Sequence, residues 1–68
     1  MRLWFVNGIS RNGNALGSIG MTFVAATEAE AIGMTYQQME RDAPGREVCK
    51  LWAMDCTDWC KEAVAHLG

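Results

Sequence analysis

The residues best able to do chemistry stand close together near one end of the chain. Cys49, Cys56, Cys60 and His66 form a C-x6-C-x3-C-x5-H series. Thiolates and imidazoles are zinc ligands, but structural zinc sites usually pair their cysteines at C-x2-C spacing on tight knuckles. No gap here is that short. Cys56 and Cys60 lie one helical turn apart and could share a metal, with His66 joining only where the helix bends or frays. Free cysteine also packs as a small buried hydrophobe. The spacing suits that packing role better, so neither a metal nor a cofactor is expected.

Catalysis by the same residues fares no better. Cys56 would stand near the start of a helix, where the dipole favours thiolate. Asp55 and Asp58 oppose that by repelling negative charge. His66 lies two residues from the last position, where a frayed turn would hold a general base poorly. Gly8, Gly13, Gly17 and Gly20 match neither a P-loop nor a dinucleotide fingerprint, and the chain continues as strand rather than helix. Glu28 and Glu30 are explained by helix capping, and Glu40 has no evident carboxylate partner. No catalytic constellation is expected, so the chain is read as a non-enzyme.

Composition narrows the partners. Of 68 residues, half are apolar and 21% charged, which is a globular balance and enough for one small α+β domain over 1–68. So short a chain buries little surface, and its apolar content makes a protein partner or a homodimer reasonable. Net charge is −2, with +2 over residues 1–26 and −4 over residues 27–68. A phosphate-gripping domain shows a basic stripe, so direct nucleic-acid binding is not expected. No signal-type apolar stretch opens the chain, and no run approaches a membrane span. An odd cysteine count without such a signal fits a reducing, cytoplasmic setting.

The elements that must position these residues follow from period. RLWFV and IGMTFVA read as paired strands, with Asn12-Gly13 as a two-residue type I′ turn between them. That turn sets Val6 against Ile19 and Trp4 against Met21. Phe5 then covers Gly20, and Gly8 meets Gly17. A bulge near those glycines would instead bring Leu3 and Phe5 to the face of Met21 and Phe23. Thr27 opens a helix through the capping box T-E-A-E. Its apolar stripe reads Ala29, Ile32, Tyr36 and Met39, and close approach to the sheet would justify Gly33. The stretch Asp42-Ala43-Pro44-Gly45 ends the helix. REVCKLWAM is a third strand, apolar in both alternate sets. Asp55 or Thr57 caps a short C-terminal helix with Cys56, Cys60, Ala63 and Leu67 on one stripe. The order β-β-α-β-α, with a right-handed crossover, predicts a three-stranded sheet of order 2-1-3 with one helix packed on a face.

Three tryptophans are many for this length. A sheet face built from Trp4, Val6, Trp52 and Met54 would be apolar and incompletely covered, as interaction surfaces are. Together with the polar hairpin tip, it gives a candidate partner-binding set: Trp4, Arg11, Asn12, Asn14, Lys50 and Trp52. The run MTFVAATEAEAI, leading from a hairpin into a capped helix and then a strand, resembles the compact β-β-α-β proteins of phages and mobile elements. The likeness spans residues 2–54 as an order of elements. Some of those proteins are anti-CRISPR-type inhibitors, so the resemblance implies a small inhibitor that blocks a surface of a host-defence complex. It carries over no individual residue. The alternatives are a homodimeric accessory protein and a thiol or zinc sensor.

Overall fold

The computed structural model describes residues 1–60. Three strands and one helix follow in the order β1 (Arg2–Asn12), β2 (Ala15–Ala25), α1 (Glu28–Asp42) and β3 (Glu47–Asp55). The sheet is antiparallel throughout, with order β2-β1-β3. The α+β architecture is as the sequence predicts. Residues 57–60 begin a further helical turn, in which the Cys60 N–H donates to the Cys56 carbonyl at 2.9 Å. Ala63, His66 and Leu67 lie outside the described residues. Among the described residues, no helix is long and apolar enough to cross a membrane.

The strands run further than the apolar segments suggest, because pairing continues up to the turn. Asn12 pairs with Ala15, so the two loop residues are Gly13 and Asn14 rather than Asn12 and Gly13. Among the described residues only Gly13 has positive φ, at 64°. A type I′ turn would need positive φ at both positions. One glycine at the first position is what a type II′ turn asks for. The register therefore moves: Val6 faces Met21, and Trp4 faces Phe23. The move preserves parity. Trp4 and Val6 still share a face with Ile19, Met21 and Phe23, and the alternative with Leu3 and Phe5 on that face does not occur.

That shared face carries the core. Val6 is fully buried, with Ala25 and Ala31 against it and Trp4, Phe23, Ile32, Leu51 and Ala53 packed around them. Burying Val6 alone contributes roughly 1.5–3 kcal/mol. Two close contacts set the geometry. Gly8 sits between Ile19 and Leu51 in the sheet. A Cβ on Gly8 would lie 2.4 Å from the Lys50 carbonyl oxygen and equally close to Leu51 Cδ2. On the helix, the buried line is Ala31, Thr35 and Met39. This corrects the predicted stripe: Ile32 and Met39 do turn inward, but Ala29 and Tyr36 are exposed. Small side chains let the helix approach the sheet, and Thr35 is satisfied by donating to the Ala31 carbonyl at 3.0 Å.

The helix ends are built as the sequence predicts. Thr27 Oγ1 accepts from the Glu30 N–H at 3.2 Å, and Glu30 Oε2 accepts from the Ala26 N–H at 3.2 Å. The reciprocal bond thus reaches one residue beyond the cap itself. At the other end the Ala43 N–H returns to the Met39 carbonyl at 2.8 Å. Gly33 does not face the sheet: it is exposed, and a Cβ there would meet nothing within 4 Å.

Two substitutions separate these roles. Gly33→Ala should raise stability by about 0.5–1 kcal/mol in urea denaturation, since it removes a helix-interior glycine from open space. Gly8→Ala should lower it by roughly 1–3 kcal/mol or more, because the backbone it meets cannot rotate away.

Candidate functional site

Alternation divides the sheet's side chains between two surfaces. The odd residues of β1 point away from the helix, with Leu16, Ser18, Gly20, Thr22 and Val24 of β2. On β3 a bulge intervenes: Ile9 pairs with Lys50, but Ser10 pairs with Val48. Cys49 is the extra residue. The slip returns Val48 to the helix side with Leu51 and Ala53, and leaves Lys50, Trp52 and Met54 on the opposite side. Among the described residues, that opposite face is bordered at one end by the turn at 56–60 and carries no packed helix like α1. Phe5, Ile9, Trp52 and Met54 stand partly exposed there, Trp52 at 44% and Met54 at 55%.

The open face has a polar end and an apolar end. Towards the hairpin tip, Arg11 pairs with Glu47 at 2.6 Å, and the Lys50 ammonium lies 5.9 Å from the centre of the Trp52 ring. Farther along, Phe5, Thr22 and Met54 join Cys56, Trp59 and Cys60 around an open groove of about 500 Å³. Trp59, the one tryptophan among these six, is 73% exposed. All six lining residues but Thr22 are apolar or carry a thiol, so the groove suits an apolar side chain better than a charged ligand.

A clamp fixes the groove's outer wall. The Leu3 N–H donates to Thr57 Oγ1 at 2.7 Å, and the Leu3 carbonyl accepts from the Cys56 N–H at 2.9 Å. Asp55 Oδ1 accepts from the Thr57 N–H at 3.0 Å and from its hydroxyl at 2.7 Å. Asp55 Oδ2 takes the Arg2 guanidinium. The clamp thus ties the end of β3 and the turn that follows to the start of β1. The Arg2 hydrogen bond, followed by the two Thr57 bonds, holds the Asp55 carboxyl well below its ordinary range, at about 2.

The candidate residues fall in three places. Arg11, Lys50 and Trp52 share the open face, and Asn12 and Asn14 flank Gly13 at the exposed tip. Trp4 does not join them. It lies on the helix side, half-buried against the core, and its indole N–H donates to the Ala25 carbonyl at 3.2 Å. Grouping Trp4 and Val6 with Trp52 and Met54 on one face is therefore corrected. Met54 lies on the open face with Trp52 as expected, whereas Phe5 and Trp59 were missed as groove residues. The signal for Phe5 was present: β2 alternates cleanly between large apolar residues (Ile19, Met21, Phe23) and small or polar ones (Ser18, Gly20, Thr22).

The thiols do not form one ligand set. Cys49 and Cys56 are separated by roughly 20 Å of mostly extended chain. Among the described residues, no three of His, Cys, Asp and Glu converge as metal ligands. Cys56 is half-buried, with Sγ 3.7 Å from the Leu3 carbonyl. Burial first, then the neighbouring Cys60, pushes its thiol upward, against nucleophilic use. Compared with family models, curated proteins and solved structures, the chain matches none.

Two measurements check this geometry. A carboxyl held low in the folded state stabilises above its unfolded range, and that contribution is lost as pH falls through the folded value. The Asp55 clamp should therefore hold above about pH 4 and release towards pH 2, and Asp55→Asn should remove that segment of the stability-pH curve. In a brief iodoacetamide pulse followed by peptide mass spectrometry, exposed Cys49 should be alkylated before Cys56.

Proposed function

We propose that this chain is a small non-enzymatic protein-binding module that works through the open sheet face. The observation that carries the reading is the apolar groove of Phe5, Met54 and Trp59, continuous with Trp52, on the side of the sheet away from α1. A rigid sheet presents these side chains at little ordering cost, and partly exposed tryptophans commonly anchor protein contacts. The groove accepts an apolar anchor from the partner. The Arg11–Glu47 and Lys50 end supplies the polar rim that orients it. Trp52, Lys50 and Arg11 are the contacts kept from the sequence reading, with Asn12 and Asn14 at the tip, and Phe5, Met54 and Trp59 are added. Trp4 is a core residue in this reading. An inhibitory role, in which the module blocks a working surface of a larger complex in a phage or mobile-element setting, is the finer form of the proposal and rests on the order of elements alone.

The test uses a photo-crosslinking residue at position 54 in the full chain. A protein crosslinked there should be displaced by excess native chain. It should also be displaced by Tyr36→Ser, which alters only the exposed side of α1. The folded Phe5→Ser/Met54→Ser variant should compete at least tenfold more weakly. Equal competition by that variant, with its circular dichroism unchanged, would show that the face is not the binding site.

A further inference from the structure

The two outer strands of the sheet differ in how they meet solvent. β3 carries Glu47, Lys50 and Asp55 and is broken by the bulge at Cys49. Charges and bulges are the usual means of blocking edge-to-edge pairing. β2 has none of them. Over eleven residues it reads ALGSIGMTFVA, with no charge and no proline, and its register against β1 is unbroken.

Hydrogen-bond parity shows what this edge offers. The N–H and C=O of Leu3 both point to the β3 side, where they meet Thr57 and Cys56. Odd residues of β1 therefore bond towards β3, and even ones towards β2. Even β1 residues pair with odd β2 residues, as Val6 does with Met21. The even residues of β2 are thus left with N–H and C=O directed outward: Leu16, Ser18, Gly20, Thr22 and Val24. All five are exposed. They form a row of donors and acceptors with nothing described beside it.

We infer that β2 pairs antiparallel with β2 of a second copy of this chain, about a twofold axis at Gly20, to make one six-stranded sheet. The sequence of the strand selects its own copy. A register centred on Gly20 pairs all eleven residues and sets outward-bonding residues against one another. On the open face it opposes Leu16 to Val24 and Ser18 to Thr22, an apolar pair and a hydroxyl pair. On the helix side it opposes Ile19 to Met21 and sets Phe23 against Gly17, over which the Arg46 guanidinium lies. With no charge on the strand, the twofold register sets no like-charged residues of the two β2 strands opposite one another. The two open faces then join into one surface, with a groove on each half.

Sedimentation equilibrium of the full chain over a concentration series tests this. The native chain should be a dimer. Leu16→Lys/Val24→Lys and Leu16→Glu/Val24→Glu place like charges opposite each other in this register. Each should remain folded by circular dichroism and self-associate at least a hundredfold more weakly. An equimolar mixture of the two should restore a one-to-one dimer. A native chain that stays monomeric up to millimolar concentration would overturn the inference. So would a lysine variant that still dimerises, or a mixture that does not pair. A dimer lost in Phe5→Ser/Met54→Ser but kept in the edge variants would assign the contact to the open face instead. None of these substitutions at 16 and 24 lines the groove, so crosslinking at position 54 by a monomeric edge variant would leave the binding proposal standing on its own.

Discussion

Two ladders of hydrogen bonds meet on β1, and they place the rest of the molecule. One side of the strand holds β2 through a two-residue turn, and the other holds β3 after a long crossover through α1. Each neighbour is locked by a different device. Gly13 fixes the first register by accepting positive φ. Gly8 permits the second by omitting a side chain where the Lys50 carbonyl and Leu51 press in. A slip of one residue in either ladder would exchange the two faces. The buried Val6 and the exposed Phe5 are adjacent in sequence, so their fates are decided by that register alone.

The same ladders divide labour between the faces. On the helix side, Ala31 and Thr35 keep α1 close, and Val6, Ala25, Leu51 and Ala53 fill the interval. On the other side nothing comparable among the described residues closes over Phe5, Trp52 and Met54. For so short a chain, leaving large apolar groups partly in water forgoes stabilisation that a small core can ill spare. The proposed binding role would draw on that exposed apolar surface. The Arg2–Asp55–Thr57 clamp adds precision at the groove, because it anchors the turn bearing Trp59 to the first strand.

Much of this was legible before any coordinates. The strand and helix order, the 2-1-3 arrangement and the Thr27–Glu30 capping box follow from period and end signals. What sequence could not give was the set of one-residue decisions. Asn12-Gly13 looks like a type I′ turn, yet the chain places Gly13 first in the loop, and no local rule separates the two. The helix stripe was misread because hydrophobicity favours Tyr36, whereas close packing favours Ala31 and Thr35. The bulge at Cys49 leaves no mark beyond a strand whose two sides are both apolar. It explains that puzzle, since Val48 and Trp52 end on opposite faces despite their even spacing. Trp4 was misplaced for a related reason: counting tryptophans says nothing of parity. The alternation within β2 did carry that information.

The bulge has a last consequence, for the size of any assembly. A sheet with two bare edges can add strands at both sides and grow without limit, which is the geometry of a fibre. Here one margin is bent and charged, and the other is smooth. Growth would proceed from the smooth margin alone, and the proposed twofold contact there would use it up. In the proposed dimer both outer margins would be β3, with exposed Glu47 and Lys50 along it. An irregularity of one cysteine thus works as a stop. In the proposed dimer it would let a strand as free of charge as β2 coexist with association that ends in a closed, countable species.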